Sequence, residues 1–191
     1  MGMFCFQCQE AARGVGCDSR GVCGKTEEVA KLQDLLVYTL KGISQIVVRA
    51  GLRPEELGRL NYEMLNSLFM TITNANFDGE AIEAQIKKML AVRDELRMKT
   101  GLDNLHDAAT FTAGTREAML EKAGTVGVLA TENEDIRSLR ELITYGIKGM
   151  AAYAEHAMNL SRENPEVNAF VYEALAATLD DTLTADQLVA L

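Results

Sequence analysis

All four cysteines of this chain lie in one short segment near its N-terminus, and this clustering constrains the molecule more than any other feature. They are Cys5, Cys8, Cys17 and Cys23, with the spacing C-x2-C-x8-C-x5-C, and the rest of the 191-residue sequence contains no cysteine. Four thiols so close together, ahead of a long helical region, indicate one binding site rather than scattered core residues.

Three kinds of site are compatible with this segment: an iron–sulfur cluster, a structural zinc ion bound by four thiolates, or two disulfide bonds. No secretory signal precedes the cysteines, which predicts a reducing compartment where disulfides are rare. A zinc ribbon usually has two C-x2-C halves, whereas this chain has one C-x2-C and one C-x5-C. Glycines around Cys17 and Cys23 favour a metal site of either kind. Iron–sulfur is therefore favoured, and the other two remain open.

Three stretches resemble one known family. The segment MFCFQCQEAARGVGCDSRGVCGK (residues 3–25) is similar to the N-terminus of the hybrid-cluster, or prismane, proteins, which are hydroxylamine reductases. TITNANFD (residues 71–78) and GVLATENEDIRSLRELITYGIKGMAAYAEHA (residues 127–157) are similar to the same family. The resemblance covers essentially the whole chain, and it implies that Cys5, Cys8, Cys17 and Cys23 bind a [4Fe–4S] cluster that passes electrons.

The resemblance also implies that the chain is the N-terminal part of a longer enzyme. In this family two further α/β domains hold a hybrid iron–sulfur–oxygen cluster, bound by Cys, His and Glu residues, where hydroxylamine is reduced to ammonia. None of those ligands is present here, so we expect no catalytic residue and no turnover by this chain alone. The expected partners are the C-terminal domains of the parent protein, an external electron donor and, for the parent, a small nitrogen substrate.

The overall charge excludes two classes of partner. The net charge is −9 and the isoelectric point is near 4.8, which argues against binding to nucleic acid or to an anionic membrane. No apolar run reaches the roughly 18 residues that a membrane span needs. Together with the absence of a signal segment, these observations predict a cytoplasmic protein.

The hydrophobic pattern predicts an all-α fold, with two tandem three-helix bundles preceded by the cysteine-rich loop. The predicted units are the four-cysteine segment (3–25), a first bundle (26–101), an irregular connection (102–133) and a second bundle (134–191). Predicted helices begin at Thr26, Pro54, Asp78, Thr115, Asn133, Asn164 and Thr184, and glycines at 51 and 101 end two of them.

An internal repeat supports the two bundles. LQDLLVYTLKGI (residues 32–43) aligns with LRELITYGIKGM (residues 139–150), and five of the paired residues are identical. The last helix of the second repeat is short, which agrees with a chain cut inside a longer protein. Gly42 and Gly149 pair in this alignment, and we expect each to allow a close helix–helix approach.

A few further side chains are candidates for a role. Lys25, Arg13 and Arg20 lie beside the cysteines in sequence, and either offset the charge of a cluster or are solvated. His156 is expected to be a surface or packing residue, and His106 is a weak candidate for a lone metal ligand.

Overall fold

Eight α-helices make up most of the chain in a computed structural model that describes residues 2–191. They are α1 (Glu27–Ala50), α2 (Pro54–Leu57), α3 (Arg59–Met70), α4 (Gly79–Thr100), α5 (Arg116–Val126), α6 (Glu134–Asn159), α7 (Pro165–Ala177) and α8 (Ala185–Val189). Short 3₁₀ turns are formed by Ala12–Gly14, Asp107–Ala109 and Val128–Ala130. Residues 2–191 contain no β-strand, so the all-α prediction is confirmed. None of their helices is long and apolar enough to cross a bilayer.

Side-chain caps explain why most helices begin where the sequence predicts. The Thr26 hydroxyl accepts a hydrogen bond from the amide of Val29, and Asp78 accepts bonds from two amides in the first turn of α4. At the other ends of α1 and α4, Gly51 and Gly101 take the left-handed conformation that ends a helix, with φ of 66° and 61°. The predicted caps of α5 to α8 are also confirmed: Thr115, Asn133, Asn164 and Thr184.

Two predicted helices differ from the observed ones. The helix that starts at Pro54 is predicted to run to about Ile72, but it is interrupted at Gly58, where φ is 51° and ψ is −122°. A Cβ atom strongly disfavours this combination, so glycine divides the segment into α2 and α3. The short helix predicted from Thr115 continues to Val126 and becomes α5.

The first long helix, α1, lies at the centre of the fold. It packs against α4, α5 and α7, while α3 packs against α6. Its fully buried apolar side chains recur at helical spacing and form one stripe: Leu32, Leu35, Leu36, Leu40, Ile43 and Ile46. The buried surface of α1 is wider than this stripe, as expected for a central helix, and also includes Ala30, Gln33, Val37 and Ser44.

Helices of both predicted bundles share one hydrophobic core. A single cluster of buried residues joins Leu40 of α1 and Met64 of α3 to Ile147 of α6 and Leu175 of α7. The contacts of α1 with α7 and of α3 with α6 cross between the two repeats. The unit boundaries given above remain a prediction, and the halves are held together by apolar packing.

The repeated residues have different surroundings in the two halves. Leu35 is fully buried, whereas its counterpart Leu142 is 67% exposed. A Cβ atom on Gly42 would lie 2.1 Å from the carbonyl oxygen of Ala108, so a close approach is confirmed there, although to the 3₁₀ turn Asp107–Ala109 rather than to a helix. A Cβ atom on Gly149 would meet no atom within 4 Å, so the same expectation is wrong for Gly149.

Candidate iron–sulfur site

The first and third cysteines lie side by side in the N-terminal loop. The Cys5 amide donates to the Cys17 carbonyl at 3.0 Å, and the Cys17 amide donates back to the Cys5 carbonyl at 2.8 Å. Such a doubly hydrogen-bonded antiparallel pair holds the two Cα atoms about 5.5 Å apart. Cys17 is buried and Cys5 is partly buried, so the inner edge of the loop carries two thiols.

The fourth cysteine lies in a tight turn. The amides of Gly21 and Gly24 each close a hydrogen bond of 2.8 Å within the turn, to the carbonyls of Lys25 and Gly21. A Cβ atom on Gly21 would lie 3.1 Å from the Cys23 sulfur, so the missing side chain leaves room for backbone beside that sulfur. Cys23 is exposed, which gives the loop one thiol at the molecular surface.

The donor set of four thiols is chemically suited to an iron–sulfur cluster or to a single zinc ion. All four cysteines are free thiols. In residues 2–191 no three His, Cys, Asp or Glu side chains lie close enough together to bind one metal ion. Zinc with a Zn–S distance of about 2.3 Å needs its four sulfurs about 3.8 Å apart. A cubane cluster places its thiolates at the corners of a larger body. The assignment of Cys5, Cys8, Cys17 and Cys23 as ligands remains a prediction.

One buried lysine lies against the Cys5 thiol. Lys25 is 2% exposed, and its Nζ lies 3.9 Å from the Cys5 sulfur. The Lys25 ammonium also donates to the Gln33 side chain at 2.7 Å, and Gln33 donates to the Asn76 carbonyl at 3.0 Å. Because this ammonium is shielded from water, it stabilises negative charge on the adjacent sulfur more strongly than a surface cation would.

The two arginines considered with Lys25 have a different role. Arg13 forms an exposed ion pair with Asp18 at 2.7 Å, and Arg20 is exposed. Arg13 lies in the 3₁₀ turn with a φ of 59°. This pair lowers the pKa of Asp18, mainly through the hydrogen bond from Arg13. Both arginines are therefore solvated, and only Lys25 is buried beside a thiol.

Gln7, between the first two cysteines, is held by two distant segments that the sequence did not identify. The backbone carbonyl of Gln7 accepts hydrogen bonds from the Thr73 hydroxyl at 3.1 Å and from the Tyr145 hydroxyl at 3.0 Å. The side-chain amide of Gln7 is oriented so that its nitrogen donates to the Thr71 carbonyl and its oxygen accepts from the Lys148 ammonium, each at 3.1 Å. The C-x2-C turn is therefore fixed by α6 and by the segment after α3.

A polar cavity of about 50 Å³ separates the cysteine loop from the helices. Its wall includes Cys5 of the loop, Asp34 and Lys41 of α1, and Glu141 and Lys148 of α6. Burial raises the pKa of Asp34 to about 7, although the nearby Lys148 opposes that rise. Burial likewise lowers the pKa of Lys41 and of Lys148. Buried and partly buried charged groups thus lie next to the first cysteine.

Neither histidine is part of this site. His106 accepts a hydrogen bond from the Ala108 amide through Nδ1 at 3.1 Å, so it caps the turn Asp107–Ala109. Burial lowers the pKa of His106. The His156 side chain is 66% exposed, lies 3.0 Å from Glu155, and packs edge-on against Phe69. The expectation of a surface and packing role for His156 is confirmed.

Comparison with known proteins identifies the family. A family model described as "Prismane/CO dehydrogenase family" matches residues 3–191. A hydroxylamine reductase of Acetivibrio thermocellus is 64% identical over 191 residues, which are all of this chain and 35% of that protein. Hydroxylamine reductases of Clostridium perfringens and Desulfitobacterium hafniense (strain DCB-2) are 52% and 54% identical over 201 residues, and the match covers 36% of each. The chain thus spans about a third of the length of these relatives, and it belongs to the prismane/CO dehydrogenase family.

Proposed function

We propose that this chain is the electron-transferring part of a hydroxylamine reductase, and that its four cysteines bind one [4Fe–4S] cluster. The observation that carries the proposal is the folded loop that contains four free thiols, with its C-x2-C turn fixed from two sides and the buried Lys25 ammonium 3.9 Å from the Cys5 sulfur. The relatives named hydroxylamine reductase support the choice of enzyme.

When bound, such a cluster accepts and releases one electron at a time. The residues of this chain give the site two distinct sides. Cys17 and Lys25 are buried, which keeps water away from the inner side, and Lys25 offsets negative charge there. Cys23 is exposed, so an external electron donor is able to approach the site from that side.

The proposed reaction of the whole protein is the reduction of hydroxylamine. One hydroxylamine takes up two electrons and two protons and yields one ammonia and one water. The electrons would come from a donor protein in the cytoplasm, pass through this chain, and reach a hybrid cluster held by residues outside the 191 present here. We therefore expect the 191-residue chain by itself to have no hydroxylamine reductase activity.

Anaerobic reconstitution tests the proposed cofactor. The purified chain is incubated with iron and sulfide, desalted, and analysed for iron, sulfide and zinc together with its visible absorption spectrum. We expect about four irons and four sulfides per chain and a broad visible band. The variant Cys17→Ser is expected to bind much less iron, and the exposed-site variant Ser19→Ala serves as its control. Colourless protein that keeps one zinc per chain under these conditions would overturn the proposal in favour of a structural zinc site.

A further inference from the structure

The cavity between the cysteine loop, α1 and α6 contains charged groups that binding a cluster does not require. Asp34 and Lys41 lie two turns apart on α1, and Glu141 and Lys148 lie across from them on α6. At about 50 Å³ the cavity has room for a small number of water molecules. It therefore provides a short polar connection between Cys5 and a group of ionisable side chains.

We propose, on the basis of the function proposed above, that this cavity is a redox-linked proton site, in which the Asp34 carboxylate takes up one proton from solvent when the cluster accepts one electron. The electron enters the cluster from the external donor, and the proton forms an O–H bond on Asp34. The proton added to Asp34 then offsets the negative charge added to the cluster.

Asp34 is the group best suited to accept that proton. No protein group in residues 2–191 donates a hydrogen bond to its carboxylate, which faces the cavity and the backbone of Gly127. Burial disfavours the ionised form of this acid, and the nearby Glu141 acts in the same direction. Asp34 therefore lies close to the balance between its protonated and ionised forms near neutral pH.

The lysines around Asp34 favour its ionised form and so oppose the effect of burial on its pKa. The charged groups that face Asp34 are Lys25 of the loop, Lys41 of α1, and Glu141 and Lys148 of α6. Tyr38, Tyr145 and Cys5 complete the titratable lining, while α5 and the following turn contribute only the apolar Val126 and Val128. Lys31, the remaining lysine near Asp34, forms an ion pair with Glu27 at 2.6 Å. Three lysines against one other carboxylate explain why Asp34 is not simply a neutral acid at all pH values.

A negative charge added beside Cys5 is large enough to shift this balance. At an effective dielectric constant of about 20, a unit charge about 10 Å away changes a proton-binding constant by about tenfold. Linkage is reciprocal, so the reduction equilibrium must depend on pH to the same extent that proton binding depends on reduction. The test is therefore the midpoint potential of the cluster as a function of pH.

The experiment uses the reconstituted 191-residue chain and equilibrium redox titrations between about pH 5 and 9. In the wild type we expect the midpoint potential to fall as pH rises through the range where Asp34 titrates, with a total change of about tenfold in the equilibrium constant, or ~59 mV. Asp34→Asn keeps the size of the side chain and removes the proton site. Because burial lowers the pKa of Lys148 to about 8, within the titrated range, Asp34→Asn is combined with Lys148→Met, and the potential of this double variant should be independent of pH. Asp103→Asn changes an exposed acid outside the cavity and should retain the wild-type curve.

A second variant and a measurement on the wild type test the inference even if Asp34→Asn does not fold. Lys148→Met removes a charge that favours ionised Asp34, so it should move the pH-dependent region to higher pH. Infrared difference spectra of the wild type on reduction should show a new protonated-carboxyl band. A flat wild-type curve, or a slope that persists in the folded double variant Asp34→Asn/Lys148→Met, would overturn the inference while leaving the cluster in place. A chain that binds no iron would instead overturn the proposed function, and the inference with it.

Discussion

The two glycines that the repeat aligns should respond to alanine in opposite ways. A Cβ atom on Gly42 would lie 2.1 Å from the Ala108 carbonyl oxygen, and a Cβ on Gly149 would meet nothing within 4 Å. Both lie inside helices, where alanine is intrinsically favoured over glycine by about 1 kcal/mol. The space around each glycine therefore decides whether alanine raises or lowers the free energy of unfolding.

At Gly42 the neighbouring backbone has little freedom to move. The buried Arg93 guanidinium donates to the same Ala108 carbonyl at 3.2 Å and to the Phe111 carbonyl at 2.6 Å. Forcing a methyl group into a packed site costs typically about 1–3 kcal/mol, and a clash with fixed backbone belongs at the upper end. After the gain in helix propensity, we expect Gly42→Ala to lower the free energy of unfolding by about 1–2 kcal/mol.

At Gly149 no clash opposes the higher helix propensity of alanine. We expect Gly149→Ala to raise the free energy of unfolding by about 0.5–1 kcal/mol. For a chain of this size, each kcal/mol moves the Tm by about 2–4 °C. Urea and thermal unfolding of the reduced, metal-free chain, followed by circular dichroism, measure both variants against the wild type. Equal shifts of the same sign in the two variants would refute the argument from local space.

Three further substitutions test the site and its support. Lys25→Met should lower the midpoint potential of the bound cluster by on the order of 100 mV, since it removes a buried positive charge, whereas Arg20→Met should leave it nearly unchanged; redox titration decides. Arg93→Met should lower the free energy of unfolding by about 2–4 kcal/mol in urea titrations, because two buried carbonyls lose their donor. Tyr145→Phe removes one of two hydrogen bonds to the Gln7 carbonyl and should increase the rate of cluster loss to a chelator; an unchanged rate would contradict a role for Tyr145 in holding the loop.

Local signals in the sequence were sufficient to predict the helices. Capping side chains such as Thr26 and Asp78 act within one turn, so their effect is visible in a few consecutive residues. Gly58 shows the limit of this approach. Its position inside an apolar stripe resembles an ordinary helical glycine, and only the observed φ and ψ reveal a break. The repeat was also misleading at Gly149, because identical residues at aligned positions do not guarantee identical neighbours.

The supports of the cysteine loop were not predictable in the same way. Thr73 and Tyr145 bind the Gln7 carbonyl across 66 and 138 positions of sequence, and no local pattern links such residues. Lys148 is equally remote, and a buried lysine on a helix has no distinguishing neighbours in the sequence. A signal was nevertheless present: the two later stretches that resemble the prismane family include these residues. The resemblance located the segments, and the structure supplies their contacts.

These contacts imply that the loop and the helices stabilise one another. The loop is joined to the segment after α3 through Thr73, to α6 through Tyr145, and to α1 through the hydrogen bond between Lys25 and Gln33. A group that binds only the folded arrangement of the four thiols must therefore also stabilise the packing of these elements. Conversely, a substitution that loosens α3 against α6 must weaken binding in the loop, even when it touches no cysteine. The helices thus act on the site by holding its ends, and their contribution is measurable as a coupling between cluster retention and the free energy of unfolding.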